Sequence, residues 1–394
     1  MTLITDQRAL TEFCRRLFQE QFVTVDTEFL RDKTYWPQLC LLQIAGDKEA
    51  AAVDALAPGI DLEPVYDLMA DRNILKVFHA ARQDVEIFYN RMGAIPAPLF
   101  DTQIAAMVCG FGESVGYETL VSKLAKGHID KSSRFTDWSL RPLSRRQLDY
   151  ALADVTFLRR VYEKLKRRID RTGRAEWMDA EMDVLTDPAT YRIDPNESWR
   201  RLKVRSRQPR FLAVLRAVAA WREREAQARD VPRNRLLRDE ALLEIAAHAP
   251  SKPEELARTR SLPRGIAEGR NGAGILAAVA AGLAVPESEA PQLPERIELP
   301  RGLGPVIELL RVLLKMKCEE HGVAQKLVAS SADLELIAAD DDADVPALKG
   351  WRRELFGADA LALKHGREAL TIEGKSIRVV PVPDEAPPIR KQAG

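Results

Sequence analysis

Four acidic residues and one tyrosine give this chain its chemical potential. Asp26 and Glu28 stand one residue apart in the apolar run Val23-Thr-Val-Asp26-Thr-Glu28-Phe29. Side chains alternate along an extended strand, so the two carboxylates share one face while Val25 and Thr27 point to the other. Carboxylates held so close raise each other's pKa unless a cation sits between them, and hard oxygen donors suit Mg²⁺ or Mn²⁺. Asp84 adds a third acid in His79-x-x-x-x-Asp84, and Asp154 adds a fourth, four residues after Tyr150. On a helix, positions i and i+4 adjoin, which makes the phenol and Asp154 neighbours. A tyrosine is a poor base at neutral pH, but it can hydrogen-bond and orient a water. Each feature alone has an ordinary explanation: a solvated edge strand, a helix N-terminal acid favoured by the macrodipole, a surface Tyr–Asp pair. Together, and without a catalytic Ser-His or Cys-His pairing, they fit metal-assisted hydrolysis better than covalent catalysis. Two cations about 4 Å apart can serve both sides of an in-line phosphoryl displacement.

Positioning these groups is the task of the first 170 or so residues. Residues 3–20 read as a short strand and a helix, with Thr5 or Asp6 as N-cap and an apolar stripe of Leu10, Phe13, Leu17 and Phe18. The acid-bearing strand comes next. Strands over 39–45 and 51–54 follow it at the spacing of a meander, then a helix over 64–69, a strand over 75–79 and a helix over 83–92. Asp84 thus falls where a strand turns into a helix, a place where side chains reach a sheet's rim. His79 reads as a packed strand-end residue, and Asp101 as the N-cap of a helix over 104–108. Ser144 and Gln147 have the spacing of a capping box, starting a helix that carries Tyr150 and Asp154 and ends near Arg171. A meander followed by alternating strands and helices implies a mixed α/β sheet with helices on its faces.

Length and composition set the bounds. A chain of 394 residues suggests two or three domains. Apolar content of 46% with 30% charged residues is that of a globular protein, and no run of about 18 apolar residues is present to span a bilayer. The opening Met1-Thr-Leu-Ile-Thr-Asp6 lacks the basic and apolar regions of a signal peptide, so a cytoplasmic location is expected. Cys14, Cys40, Cys109 and Cys318 show no CxxC spacing, which argues against a zinc site or a disulfide framework. Fifty-nine basic residues balance 59 acidic ones, which excludes a uniformly basic nucleic-acid binder and leaves local patches open.

Asp26-Thr-Glu28-Phe29, His79-x-x-x-x-Asp84 and Tyr150-Ala-x-x-Asp154 resemble, in order, the three motifs of the DEDD superfamily of 3′–5′ exonucleases. The tyrosine four residues before the last acid marks the DEDDy branch. The intervening Asp130-Lys-Ser-x-Arg134-x-Thr136-Asp-Trp138-x-x-Arg141-Pro-Leu143 looks like the block of the ribonuclease D family. The resemblance implies a ribonuclease H-like exonuclease domain, a mixed five- or six-stranded sheet flanked by helices. It implies two divalent cations, Mg²⁺ or Mn²⁺. Asp26, Glu28 and Asp154 would ligate the first, Asp26 would bridge to the second, Asp84 would serve the second through water, and Tyr150 would position the attacking water. It also implies release of nucleoside 5′-monophosphates from RNA with a single-stranded 3′ end, tRNA precursors being the family's usual substrates. Phe29, His79, Lys131, Arg134 and Arg141 are candidate substrate contacts, the last three through phosphates. Trp138 reads as core. A DNA exonuclease with the same chemistry and a catalytically silent RNA-binding scaffold are the competing readings, since no motif identifies a reader of the 2′-hydroxyl.

Beyond a connector over 173–206, marked by Pro188, Pro195 and Trp199, residues 200–240 hold 13 Lys/Arg against 5 Asp/Glu. That excess is a plausible phosphate-binding face, and a solvated helix surface would look the same. Phe211, Leu212, Leu215, Val218, Ala219 and Trp221 make 208–229 an amphipathic helix, and the stretch 231–246 resembles an HRDC domain, expected over 207–286. Ninety-two residues on, Val323, Leu334, Ile337 and Ala338 echo Val231, Leu242, Ile245 and Ala246. A second HRDC-like domain is therefore expected over 303–382, both being all-α, with a linker over 287–302 and a disordered tail over 383–394. The echo replaces Arg233, Arg235 and Arg238 by Gln325, Leu327 and Ser330, which favours packing over RNA contact. Gly272-x-Gly274 and Gly374-Lys-Ser376 imitate nucleotide-binding loops without the required context. A monomer is expected, because one chain supplies the whole proposed site.

Overall fold

A computed structural model describes residues 2–260, 262, 264–293 and 300–383. Six strands form one mixed sheet: β1 Thr2–Ile4, β2 Phe22–Leu30, β3 Gln38–Ala45, β4 Ala50–Asp54, β5 Leu75–Phe78 and β6 Leu99–Asp101, in the order β1-β4-β3-β2-β5-β6. The expected meander is present, since β2, β3 and β4 pair antiparallel. On the other side of β2, strands β5 and β6 run parallel to it. The short edge strands β1 and β6 complete the sheet. A bulge in β2 between Glu28 and Phe29 ends the regular register just past the acids.

Helices α1 (Gln7–Leu17) and α2 (Glu63–Ala70) cover one face, where Leu10, Phe13 and Leu17 pack with Val23, Val25, Leu42 and Ile44. Helices α3 (Arg82–Met92), α4 (Thr102–Val108) and α5 (Tyr117–Leu120) follow. The 28-residue α6 (Arg145–Thr172) crosses the opposite face, where Ala151 and Leu152 meet Leu41 and Ala52. Ser144 and Gln147 cap it reciprocally, as their spacing requires.

The segment 173–206, expected only to connect, does more. It forms α7 (Asp179–Thr186) and a turn, Pro195–Arg201, that inserts the fully buried Trp199 into the next core. That core is built on α8 (Pro209–Arg229) and closed by α9 (Arg233–Leu236), α10 (Asp239–His248), α11 (Pro253–Leu256), α12 (Arg264–Ala267) and α13 (Arg270–Leu283). Trp199, Leu215, Val218, Leu242, Ile245, Ile275 and Val279 fill it. This all-helical module is the one expected over 207–286.

The C-terminal segment repeats the opening of that module: α14 (Gly304–His321), α15 (Gln325–Val328) and α16 (Ser331–Ala339) stand in the same order and similar lengths as α8, α9 and α10. After α17 (Gly350–Arg352) and α18 (Ala358–Lys364), however, the chain forms a hairpin of β7 (Glu368–Glu373) and β8 (Ser376–Pro381). The segment is thus not all-α. Its strands, Glu-Ala-Leu-Thr-Ile-Glu and Ser-Ile-Arg-Val-Val-Pro, join through the left-handed Gly374, which makes Gly374-Lys-Ser376 a hairpin turn rather than a phosphate loop. The expected linker over 287–302 is described only in part, and the tail beyond Pro383 lies outside the described residues.

Far from standing apart, the C-terminal segment shares a core with the sheet domain. Leu310, Leu313, Leu334 and Phe356 belong to the same buried cluster as Phe88 and Met107. Ala324 N–H donates to Met107 O at 3.0 Å, and Trp177 stacks on Trp351 with centroids 4.3 Å apart and planes 9° from parallel. No helix among the described residues is long and apolar enough to cross a membrane. At the docking seam a Cβ on Gly110, whose φ is +74°, would lie 2.4 Å from Gly322 O. Gly110→Ala should therefore cost about 2 kcal/mol or more through strain and clash together, read as a lowered urea midpoint with the C-terminal segment gaining protease sensitivity first.

Candidate active site

β2 delivers Asp26 and Glu28 to the rim of the sheet where the parallel strands end at their carboxyl termini, the usual position for sites in open α/β sheets. β5 ends on the same rim. There the chain turns sharply into α3, with Ala80 in the left-handed region at φ 57°. The turn is held by Asp101: one carboxylate oxygen accepts from Ala80 N (3.0 Å) and Gln103 N (2.7 Å), the other from Ala81 N (2.8 Å). The helix cap expected at Asp101 therefore serves two helices, and it places Asp84 in the first turn of α3.

Two threonines and a tyrosine complete the positioning. Thr24 Oγ1 donates to Val155 O of α6 at 2.8 Å, tying the acid-bearing strand to the acid-bearing helix. Tyr117 Oη donates to Asp154 O at 2.7 Å and so grips the same turn. Thr27 Oγ1 hydrogen-bonds the Asp84 carboxylate. Spacing alone singled out none of these three. A threonine inside a β-rich run and a lone tyrosine have too many ordinary uses, and the signal is legible only once the partners converge.

Convergence itself is close. Carboxylate oxygens of Asp26, Glu28 and Asp154 lie within 4.8 Å of one another, a separation that one cation can bridge. Asp84, Tyr150, Phe29, His79, Lys131 and Arg134 line a cavity of about 450 Å³ with Asp26 and Asp154. Burial first, then the charges of Asp154, Asp84 and Glu28, push the Asp26 carboxyl well above the usual range. Glu28 rises to about 9, chiefly through burial and then the Asp154 and Asp84 charges, with Arg134 opposing. Asp84 and Asp154 rise to about 7, again mainly through burial. A donor set this crowded has a proton excess that a divalent cation would replace, and its all-oxygen composition suits a hard ion. Burial and the neighbouring acids also raise the Tyr150 hydroxyl, which stays protonated and hydrogen-bonds Asp154.

The other anticipated contacts divide. His79 Nδ1 lies 3.0 Å from Thr102 Oγ1, and burial lowers its pKa, so it faces the cavity neutral. Lys131 pairs with Glu118 at the mouth, and Arg134 reaches toward the acids with its guanidinium over the Phe135 ring. Arg141 is a correction. It lies outside this cavity, and its five hydrogen bonds go to both oxygens of Asp54 and to the carbonyls of Trp138, Leu140 and Cys40. No donor is left for a phosphate. Arg141 instead fastens the 130–141 loop to β3 and β4. Trp138 is buried, as expected, its ring 6.2 Å from that of Tyr150.

Residues 1–170 match the family model of the 3′–5′ exonuclease, and residues 211–279 match that of the HRDC domain. Ribonuclease D of Granulibacter bethesdensis is 54% identical, over 96% of each chain, and that of Nitrobacter hamburgensis is 54% identical, over 96% of this chain and 99% of the relative. The chain belongs to the ribonuclease D family. Escherichia coli RNase D, an exoribonuclease involved in structured RNA processing, has a solved structure that superposes with a TM-score of 0.78 at 30% identity, covering 92% of this chain and 98% of that one. The DEDD exonucleases to which the family belongs normally use divalent metals, in keeping with the acidic cluster here.

Proton excess at the acids has a measurable consequence. Carboxyls raised in the folded state hold protons that the unfolded chain has released, so their stabilisation is complete below about pH 4 and is lost as pH climbs through about 7 and then about 9. By calorimetry, the metal-free protein should lose about 5 °C of Tm between pH 5 and 9. Added Mn²⁺ should raise Tm more at pH 8 than at pH 5, because binding displaces protons. A metal-free Tm that stays flat across this range speaks against the crowding.

Proposed function

We propose that this chain is a 3′–5′ exoribonuclease that releases nucleoside 5′-monophosphates and trims single-stranded 3′ ends of structured RNAs, tRNA precursors among them. The observation that carries the reading is the meeting of Asp26, Glu28 and Asp154 within 4.8 Å, with Asp26 and Asp154 lining one cavity together with Asp84 and Tyr150. Two divalent cations, Mg²⁺ or Mn²⁺, held by Asp26, Glu28, Asp84 and Asp154, would supply the charge that makes a water nucleophilic and stabilises the departing 3′-oxygen.

The chain's own groups do the rest. Asp26, grouped with Glu28 and Asp154, would help hold the cations, and Thr27 fixes the Asp84 carboxylate by donating to it. Tyr150, protonated and anchored to Asp154, orients the attacking water through its hydroxyl. Phe29 and His79 offer an apolar and a neutral polar wall to the terminal nucleoside, while Lys131 and Arg134 meet its phosphates at the mouth. The sequence motifs identify no reader of the 2′-hydroxyl, so a DNA oligomer is the informative competitor substrate.

We read the C-terminal segment as a second, degenerate HRDC-like domain, supported by its repeated helix order. Its role is packing, since Leu310, Leu313 and Leu334 are spent on the exonuclease core. A single chain holds the whole site, which makes a monomer sufficient.

Incubation with 5′-labelled single-stranded RNA and Mg²⁺ should give a ladder shortening from the 3′ end, abolished by EDTA. Asp26→Asn and Asp154→Asn should lower kcat at least 10³-fold, and Tyr150→Phe about 10- to 100-fold with little change in KM. RNA bound but left intact in every lane would favour the silent scaffold instead.

A further inference from the structure

A second cavity of about 430 Å³ opens where the β2–β3 connection meets the HRDC module. Four guanidinium groups line it, from Arg31, Arg201, Arg222 and Arg233, against two carboxylates, Glu223 and Asp239. Glu223 is fully buried and committed: Arg233 Nε donates to it at 2.6 Å, and the Tyr35 hydroxyl donates as well. Asp239 takes Arg222 Nη1 at 2.7 Å. With Glu86 pairing Arg31 from outside the cavity, one positive charge therefore remains in excess.

Arg222 marks where an anion would sit. It is only 3% exposed, and while Nη1 also donates to Leu237 O at 2.8 Å, Nε has no acceptor among the described residues. A buried charged donor left unpartnered costs stability, and an anion held in the cavity it lines would offset that charge. Arg201 stands 3.9 Å from Glu223, beyond hydrogen-bond reach, with its side chain 55% exposed. Arg31 pairs with Glu86 of α3, which lies outside this cavity, and its side chain stays 40% exposed. Planar guanidinium forks at this density suit phosphate geometry.

Resting on the exonuclease reading above, we propose that this junction cavity binds a phosphate of the RNA backbone upstream of the scissile bond. Asp26 lines one cavity and Arg31 the other, on the same stretch of β2 and its exit. Five residues at about 3.3 Å each span about 17 Å, or about five stacked nucleotides. The site would thus grip the substrate some five nucleotides from its 3′ end. Arg201, Arg222 and Arg233 come from the basic stretch 200–240, whose face it makes specific.

The test uses the full chain in an Asp26→Asn background, so that RNA is not consumed, with anisotropy of labelled single-stranded RNAs of 3, 5, 8 and 12 nucleotides. Affinity should step upward between 3 and 8 nucleotides. Arg31→Ala/Arg201→Ala, whose side chains are half-exposed and whose folding Tm can confirm, should weaken the 8-mer about 10-fold and lower its salt slope by one to two. The 3-mer should change less than 2-fold. A single neutral methylphosphonate near the fifth linkage should reproduce the loss in the parent and add nothing to the variant. Unchanged 8-mer affinity and slope in the variant would overturn the proposal. So would protection by inorganic phosphate or 5′-AMP, lost in the variant, without any dependence on RNA length, because the cavity would then be a free-anion site. Cleavage by the wild-type chain is assayed alongside: its absence counts against the exonuclease reading, whereas intact cleavage with unaltered variant affinity removes the phosphate subsite alone.

Discussion

Mutual repulsion among buried carboxylates is the constraint on which the structure turns. Asp26 and Glu28 from β2, Asp84 from α3 and Asp154 from α6 come from three separate stretches, and nothing about them individually favours their meeting at one rim of the sheet. Burial raises the proton affinity of all four, and at Asp26 and Glu28 the neighbouring acids raise it further, so the folded chain without cations carries electrostatic stress at the rim of its sheet. The surroundings hold the geometry against that stress. Thr24 bonds β2 to α6, Tyr117 grips the turn of Asp154, and Asp101 freezes the strand-to-helix turn before Asp84. These groups are uncharged or already committed, which lets them fix positions without competing for the cations.

The same economy governs the domain junctions. HRDC-side Glu223 is fully buried, yet its pKa is lowered, because Arg233 and the Tyr35 hydroxyl outweigh the burial that would raise it. Tyr35 belongs to the exonuclease domain, so this small network joins two modules through one satisfied charge. Asp230 reinforces it by accepting from both Tyr35 N and Trp36 N at 2.9 Å. The C-terminal segment docks mainly by apolar burial and the Trp177–Trp351 stack. The exonuclease domain is thus held by one junction centred on a polar network and one dominated by apolar burial, each built from residues that spacing rules do not distinguish from ordinary surface or core.

Much of the fold was legible in the chain's own pattern. The alternation of β2, the meander, the capping box at Ser144 and the cap at Asp101 all rest on local geometry, and all are present. Local signals also have a limit. Arg141 sits in a motif block and carries a charge, which made it a candidate phosphate contact, but its use was decided by Asp54, 87 residues away. Trp199 looked like part of a linker, because nothing nearby announces that α8 will bury it. The closing hairpin was missed for a similar reason, its strands being short, half-polar and attached to a helical context.

By itself the sequence determined the chemistry: four acids and a tyrosine in a fixed order, on elements whose periodicity dictates which side chains share a face. Side-chain direction along one strand or one helix is a local property, so Asp26 with Glu28 and Tyr150 with Asp154 could be paired from spacing. Only the tertiary structure decided that the two pairs meet, that Asp84 joins them, and that the arginines of 200–240 gather against the β2 exit. Those outcomes depend on contacts between residues distant in the chain, and no local preference encodes them.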